Sequence, residues 1–200
     1  MKSVLTDSYN ALVFGVAIAF VAFTLWVMTS GIDRMGLVSI ILRYVHVVAA
    51  MVWIGMIWFV NFVQLTALRR ADDQERGALM RLVVPRVLAT FLHASTVTVV
   101  SGALLLVSSG YLLDRLVFST TVYVSTPKAI MLWAGVAGGI AMMSIAHGII
   151  NPNLKVVLGV RPGDSAIVAR ARERVATFAR INLILALPVT FVMVAIAHFS

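Results

Sequence analysis

Five long apolar stretches restrict what this chain can fold into more than any other feature of its sequence. They cover about residues 11–29, 44–68, 87–108, 129–150 and 181–199. Each is close to the length of about 20 residues that a helix needs to cross the hydrocarbon core of a bilayer. In lipid, only helices and closed barrels satisfy all their backbone hydrogen bonds. The sequence therefore predicts an all-α integral membrane bundle of five transmembrane helices, forming one domain over residues 1–200.

Composition excludes several classes of protein. Of the 200 residues, 61% are hydrophobic and 12% are charged, whereas soluble domains are about 45–50% apolar and about 25% charged. The net charge is +8, but the basic residues flank the apolar stretches and form no stripe, so we expect no nucleic-acid binding. The chain has no cysteine, which excludes disulfides, iron–sulfur clusters and covalently attached c-type haem within it.

Positive charge is distributed unevenly between the two sides of the membrane. With five spans, the N-terminus and the segments 69–86 and 151–180 share one side. Twelve of the sixteen basic residues lie there, namely Lys2, Arg69, Arg70, Arg76, Arg81, Arg86, Lys155, Arg161, Arg170, Arg172, Arg174 and Arg180. Because positive charge marks the cytoplasmic side, we expect a cytoplasmic N-terminus and a periplasmic C-terminus. This predicts a multi-pass protein of the bacterial inner membrane.

The segments around the spans carry further expectations. The first stretch predicts a retained helix and not a signal peptide, because it is long and Asp7 precedes it. Residues 164–180 alternate apolar residues with arginine, which predicts an amphipathic helix leading directly into the fifth span. Pro152 is expected to end the fourth helix, and Pro188 to kink the fifth. The apolar segment 110–126 is expected to lie on the membrane or against a partner.

Four histidines are the most informative residues. They fall one on each of the last four spans, at His46, His93, His147 and His198. Ionisable residues inside a membrane are rare and usually mark a function. Counting from the span ends places His46 and His198 near the outer surface, and His93 and His147 near the inner surface. Two imidazoles at one depth on facing helices are the iron ligands that a bis-histidine haem b requires, so the sequence predicts one or two haems b.

Two arginines accompany these histidines. Arg43 lies three residues before His46 and Arg86 seven before His93, so each falls within about 60° of its histidine's helix face. Both are candidates to pair with haem propionates. The alternative is that only one pair binds haem, or that all four histidines only form hydrogen bonds with backbone or water near the helix ends.

Polar residues and glycines inside the spans suggest further contacts. Asn61 and Gln64 lie in the inner half of the second span, where they could bind a quinone headgroup or bond to neighbouring helices. Gln64 is eighteen residues, or five turns, from His46 and is expected on the same face. The pair Gly135 and Gly139 has the spacing that permits close helix approach.

The second span, LRYVHVVAAMVWIGMIWFVNFVQ at 42–64, resembles the membrane domain of the bacterial cytochrome-c-linked urate oxidase family. The SGALLLV segment at 101–107 is similar to that family as well. In the fifth span the matching residues are Arg180, Asn182, Leu187, Pro188, Val189, Phe191, Met193 and His198. The resemblance implies a haem-type membrane domain in which His46 and His198 are functional. It does not imply urate oxidation, since that family carries more spans and a cytochrome c. Weaker similarity extends to the protoporphyrinogen oxidase and copper-resistance membrane families.

Together these features predict a membrane cytochrome b that relays electrons between quinone, or a periplasmic redox partner, and another protein. The expected partners are the lipid bilayer and a cytochrome c or a larger respiratory-type complex, and a homo-oligomer is allowed. Three alternatives remain open at this point. They are a small haem-dependent oxidase of quinol or porphyrinogen, a copper-handling membrane protein, and a structural subunit without cofactor.

Overall fold

The structure, a computed structural model, describes residues 6–108 and 127–198. These residues are 92% helical and contain no strand. Five of their helical stretches are long and apolar enough to cross a membrane, which confirms the all-α class and indicates a multi-pass membrane protein. The segment expected to form an apolar outer loop, 110–126, lies outside the described residues.

Six helices follow one another along the described chain. They are α1 (Ser8–Ser30), α2 (Arg34–Arg70), α3 (Asp73–Leu82), α4 (Val84–Ser108), α5 and α6 (Ser165–His198). Helix α2 contains a π-helical turn at Phe59–Gln64. Helix α5 begins with Pro127–Ile145, continues through a second π-helical turn at Ala146–Ile150 and ends with Asn151–Val157.

The chain divides into two compact units, Met1–Ile41 and Leu42–Ser200. In the first unit, the Asp7 carboxylate accepts a hydrogen bond from the Tyr9 backbone N–H at 2.7 Å and so caps α1. Gly31 follows α1 with φ of 62°, a left-handed conformation that glycine adopts without strain and that commonly ends helices.

The second unit is built around a core shared by four helices. Its buried residues are Trp53 and Ile57 of α2, Phe91 and Ala94 of α4, Met142, Ala146 and Ile150 of α5, and Ala186 of α6. Helix α6 packs along α5 where α5 carries glycines. A Cβ at Gly135 would meet Met193, and a Cβ at Gly138 would meet Val189. Gly139 has nothing within 4 Å of its Cβ position. The close approach of the two helices therefore uses Gly135 and Gly138, whereas the sequence predicted Gly135 and Gly139.

Pro152 does not end α5, contrary to the sequence-based expectation. The π-helical turn precedes it, and the Asn151 backbone N–H bonds to the Ala146 carbonyl, five residues back. The α-helix restarts at Asn151, so Pro152 stands in its first turn. There the missing proline N–H costs least, and the helix continues to Val157.

Helix α6 is continuous over 34 residues and passes through Pro188. The Asp164 carboxylate accepts a hydrogen bond from the Ile167 N–H at 2.7 Å, which satisfies a donor of the first turn. The charged segment after Asp164 therefore leads without a break into the fifth span, which confirms that prediction.

Candidate functional site

His46 lies on the face of α2 that is turned to the core. Ala49, Trp53 and Ile57 follow it by three, seven and eleven residues, which is one helical stripe, and all three are buried. His46 itself is half-buried. Its imidazole therefore belongs to the interior of the bundle.

The His46 imidazole is held by α4. Its Nδ1 lies 2.8 Å from the Thr98 carbonyl oxygen and 3.4 Å from Ser101 Oγ. A carbonyl oxygen can only accept, so Nδ1 carries the proton and donates it to Thr98. The unprotonated nitrogen is then Nε2. Histidines that bind a metal almost always use this arrangement, with the second ring nitrogen bonded to a carbonyl or carboxylate that fixes the ring.

Gly102 makes room for this imidazole. A Cβ at position 102 would lie 2.9 Å from His46 Cε1 and 3.1 Å from Nδ1, closer than side chains tolerate. Glycine is therefore required for the ring to rest on α4. The sequence alone marked the segment 101–107 by similarity and did not connect it with His46.

Trp53 lies on the same stripe of α2 and has a hydrogen-bond donor without a partner. The side chain is 3% exposed, and its buried indole N–H has no hydrogen-bond partner. Seven residues separate Trp53 from His46, about 10 Å along the helix. A buried donor without a partner is rare in folded proteins, so this stripe carries one ring nitrogen and one indole N–H able to contact a bound group.

The other half of the expected outer pair is not described in atomic detail. His198 is the last residue of α6, and its side chain lies outside the described residues, so its pairing with His46 stays a prediction. Arg43 is exposed one turn before His46 on α2, as its expected role near the membrane surface requires.

The structure brings His93 and His147 to one groove of about 380 Å³ between α4 and α5, which Asn151 and Lys155 also line. The His93 Nδ1–H donates to the Ala89 carbonyl at 2.8 Å, which leaves Nε2 as its unprotonated nitrogen. Both imidazoles are exposed. The groove therefore combines two imidazoles, an amide and an ammonium group.

The His147 side chain reaches from α5 to α4. Its Nε2 lies 3.2 Å from Ser95 Oγ and 3.2 Å from Thr96 Oγ1. Both hydroxyls donate to the Leu92 carbonyl, so their oxygens are available to accept the Nε2–H of His147. This contact joins α5 directly to α4 one turn from His93.

Arg86 is not among the residues that line the groove beside His93. Its guanidinium donates to the Leu82 carbonyl. The expected role of Arg86 beside a haem propionate stays a prediction. Lys155, which sequence analysis did not single out for such a role, contributes a positive charge to the groove.

A larger cavity of about 440 Å³ lies nearer the charged ends of the helices. Apolar side chains from α2 to α6 form most of its wall. Three amides also line it, from Asn61, Gln64 and Asn182, as do the three arginines Arg69, Arg76 and Arg172.

Two of these amides, those of Asn61 and Gln64, belong to the π-helical turn of α2. The Asn61 amide donates to the Ile57 carbonyl at 2.9 Å and to the Ala179 carbonyl of α6 at 3.2 Å. Of the two roles considered for Asn61, the structure therefore shows bonding to a neighbouring helix. The count of five regular turns from His46 to Gln64 does not hold, because the π-helical turn interrupts the 3.6-residue period.

The structure thus holds the half-buried His46 imidazole against α4, gathers His93 and His147 at a separate groove, and forms a third site with polar groups at the π-helical turn of α2. No family model, curated protein or solved structure matches this chain.

Proposed function

We propose that the protein is a membrane cytochrome b that carries electrons through one haem b ligated by His46. One observation carries this proposal. His46 lies on the buried stripe of α2 and donates from Nδ1 to the Thr98 carbonyl at 2.8 Å, with Gly102 beneath the ring. The second axial ligand in this proposal is His198, in keeping with the resemblance of the second and fifth spans.

The residues around His46 suit such a group. The imidazole offers Nε2 to a metal, and the two residues at positions 49 and 50, Ala49 and Ala50, have small side chains. The Trp53 indole N–H, buried without a partner, offers a hydrogen bond to a bound group. When bound, haem supplies reversible one-electron chemistry. Thr98 and Ser101 fix the ring orientation.

The residues around His93 and His147 do not suit a second macrocycle held between them. A bis-histidine haem needs the two imidazoles on opposite faces of the porphyrin. Here the His147 ring contacts the hydroxyls of Ser95 and Thr96 directly, so α5 lies against α4 one turn from His93. We therefore propose one haem and not two.

The proposal includes an orientation and a partner. The twelve basic residues on one side favour a cytoplasmic N-terminus in a bacterial inner membrane. His46 then lies toward the periplasmic side, within reach of a redox partner there. A cytochrome c, or a larger respiratory-type complex, is the partner that we propose, and quinone or a periplasmic donor is the other end of the relay.

The test is a reduced-minus-oxidised optical spectrum with haem-to-protein and copper-to-protein ratios on detergent-purified protein. We expect one b-type haem per chain, its loss in His46→Ala and His198→Ala, and recovery in His46→Ala on addition of imidazole. His147→Ala is the matched control and should keep its haem. Absence of haem despite ample haem supply, or a His46→Ala variant with unchanged haem content, would contradict the proposal. Copper without haem would favour copper handling.

A further inference from the structure

The cavity beside the π-helical turn of α2 has the features of a binding site for a small molecule. Its volume of about 440 Å³ lies within the range of about 300–1,000 Å³ typical of ligand pockets. Its wall is mainly apolar, with side chains such as Phe91, Met80 and Val175. A few polar groups in a mostly apolar wall are what fix the orientation of a ligand in such pockets.

Asn182 places an unsatisfied acceptor in this cavity. The residue is 1% exposed, and its Oδ1 has no hydrogen-bond partner. Its Nδ2 lies 3.4 Å from the Met142 carbonyl, and only the NH₂ group can donate there, so the orientation of the amide is fixed. Buried polar atoms without a partner are rare. Oδ1 therefore has the position expected of a group that accepts a hydrogen bond from a ligand.

Gln64 provides a second acceptor in the same wall. Its Oε1 is buried and has no partner, and the residue closes the π-helical turn of α2. π-Helical turns occur frequently at functional sites. A ligand that donates hydrogen bonds can satisfy both amide oxygens, whereas a ligand that only accepts hydrogen bonds would leave both oxygens without a partner.

The charged groups lie at the other end of the cavity. Arg172 precedes Asn182 by ten residues on α6, about 15 Å along the helix axis. Arg76 is engaged by Asp73 at 3.2 Å and by the carbonyls of Leu68 and Ala71. The cavity thus extends from an arginine-lined end to an apolar interior in which two amide oxygens have no hydrogen-bond donor.

We infer that this cavity binds the hydroquinone headgroup of a membrane quinol and discriminates against the oxidised quinone. The two hydroxyls of a hydroquinone donate hydrogen bonds, as Asn182 Oδ1 and Gln64 Oε1 require. The carbonyls of a quinone only accept, so its binding would leave both amide oxygens unpaired. The inference rests on the proposed function in that a relay within the bilayer needs a lipid-soluble donor, but the binding itself does not require haem.

The test compares binding of a short-tailed hydroquinone and the corresponding quinone to the purified protein under anaerobic conditions, measured by titration calorimetry. We expect the hydroquinone to bind about tenfold more tightly or better, since one lost hydrogen bond to a buried group is worth about that factor. Asn182→Leu should weaken hydroquinone binding by about the same factor. Asn153→Leu is the matched control, because Asn153 bonds within its own helix, to the Ile149 carbonyl.

A second variant keeps the inference testable if Asn182→Leu fails to fold. Val175→Phe fills the cavity from α6 without changing an amide, and it should abolish binding of the hydroquinone. Equal binding of the two oxidation states, or normal binding by either variant, would overturn the inference. So would a tightly held phospholipid that the hydroquinone cannot displace. Haem content, measured on the same preparations, separates this result from a failure of the cytochrome proposal, since His46→Ala should still bind hydroquinone.

Discussion

At the scale of single residues, the position of one proton decides what His46 can do. The Thr98 carbonyl accepts a hydrogen bond from Nδ1–H, so in the neutral imidazole the lone pair is on Nε2. Gly102 has no side chain to displace the ring from this position. The ring nitrogen that is left open is therefore determined by backbone groups of α4, and not by residues of α2 itself.

The first prediction concerns Gly102→Ala. The new Cβ would lie 2.9 Å from His46 Cε1, so the imidazole must move and its bond to Thr98 must lengthen or break. We expect a lower haem-to-protein ratio and a shifted or broadened b-type spectrum, with α-helical content unchanged by circular dichroism. The control is Gly55→Ala on α2, where nothing lies within 4 Å of a Cβ. Indistinguishable spectra for the two variants would contradict this role of Gly102.

Sequence alone singled out His46, because a rare ionisable residue in an apolar span is visible without coordinates. It did not identify Thr98 as the partner of the ring, since a backbone carbonyl leaves no trace in residue identity. Asn182 was noted only by resemblance. Its importance depends on burial and on the absence of a donor near Oδ1, which are properties of the packed bundle.

At the scale of helices, two π-helical turns alter how α2 and α5 present their side chains. In α2 the turn directs the Asn61 amide to a carbonyl of its own helix and to one of α6, and it brings Gln64 to the cavity wall. In α5 the turn carries His147 to the hydroxyls of α4. Both turns lie beside polar residues that a regular helix would have directed elsewhere.

The second prediction concerns the contact between α5 and α6. A methyl group at Gly138 would meet Val189, so Gly138→Ala should force the two helices apart. Overpacking of this kind costs about 1–3 kcal/mol. We expect that loss in the free energy of unfolding, measured by denaturant titration in mixed micelles. The neighbouring variant Gly139→Ala, with open space at its Cβ, should unfold like the unmodified protein, and equal losses for the two would contradict the packing described.

Hydropathy located the five spans, because burial in lipid demands long apolar stretches. Hydropathy could not predict the π-helical turns or which glycines of α5 contact α6. The period of apolar residues does not reveal a π-helical turn, so the end of α5 at Pro152 was predicted incorrectly. The spacing of Gly135 and Gly139 suggested close contact, but the rotation of α5 determines which glycines face α6, and these are Gly135 and Gly138.

At the scale of the whole molecule, the distribution of charge and the order of the spans together predict how the chain sits in a membrane. Twelve basic residues on one side favour the cytoplasm for that side. The cavity with Arg69, Arg76 and Arg172 then opens near the cytoplasmic surface. The same orientation predicts that His46 lies toward the opposite surface, with the two proposed sites near different sides of the bilayer.

The third prediction tests this orientation. The chain has no cysteine, so a single introduced thiol gives an unambiguous signal. A membrane-impermeant maleimide applied to intact cells should label Ser119→Cys, between α4 and α5. It should label Gln74→Cys, at the start of α3, only after the membrane is permeabilised. The reverse pattern would place the N-terminus outside and would remove the argument for a periplasmic partner near His46.

The length of α6 has a geometric consequence. One continuous helix joins the arginine-rich segment after Ser165 to Asn182 in the cavity wall and to Val189 against Gly138. Its 34 residues measure about 51 Å at 1.5 Å per residue, whereas the hydrocarbon core is about 30 Å thick. The helix is therefore longer than the core by roughly 20 Å, which is the length of its charged first third.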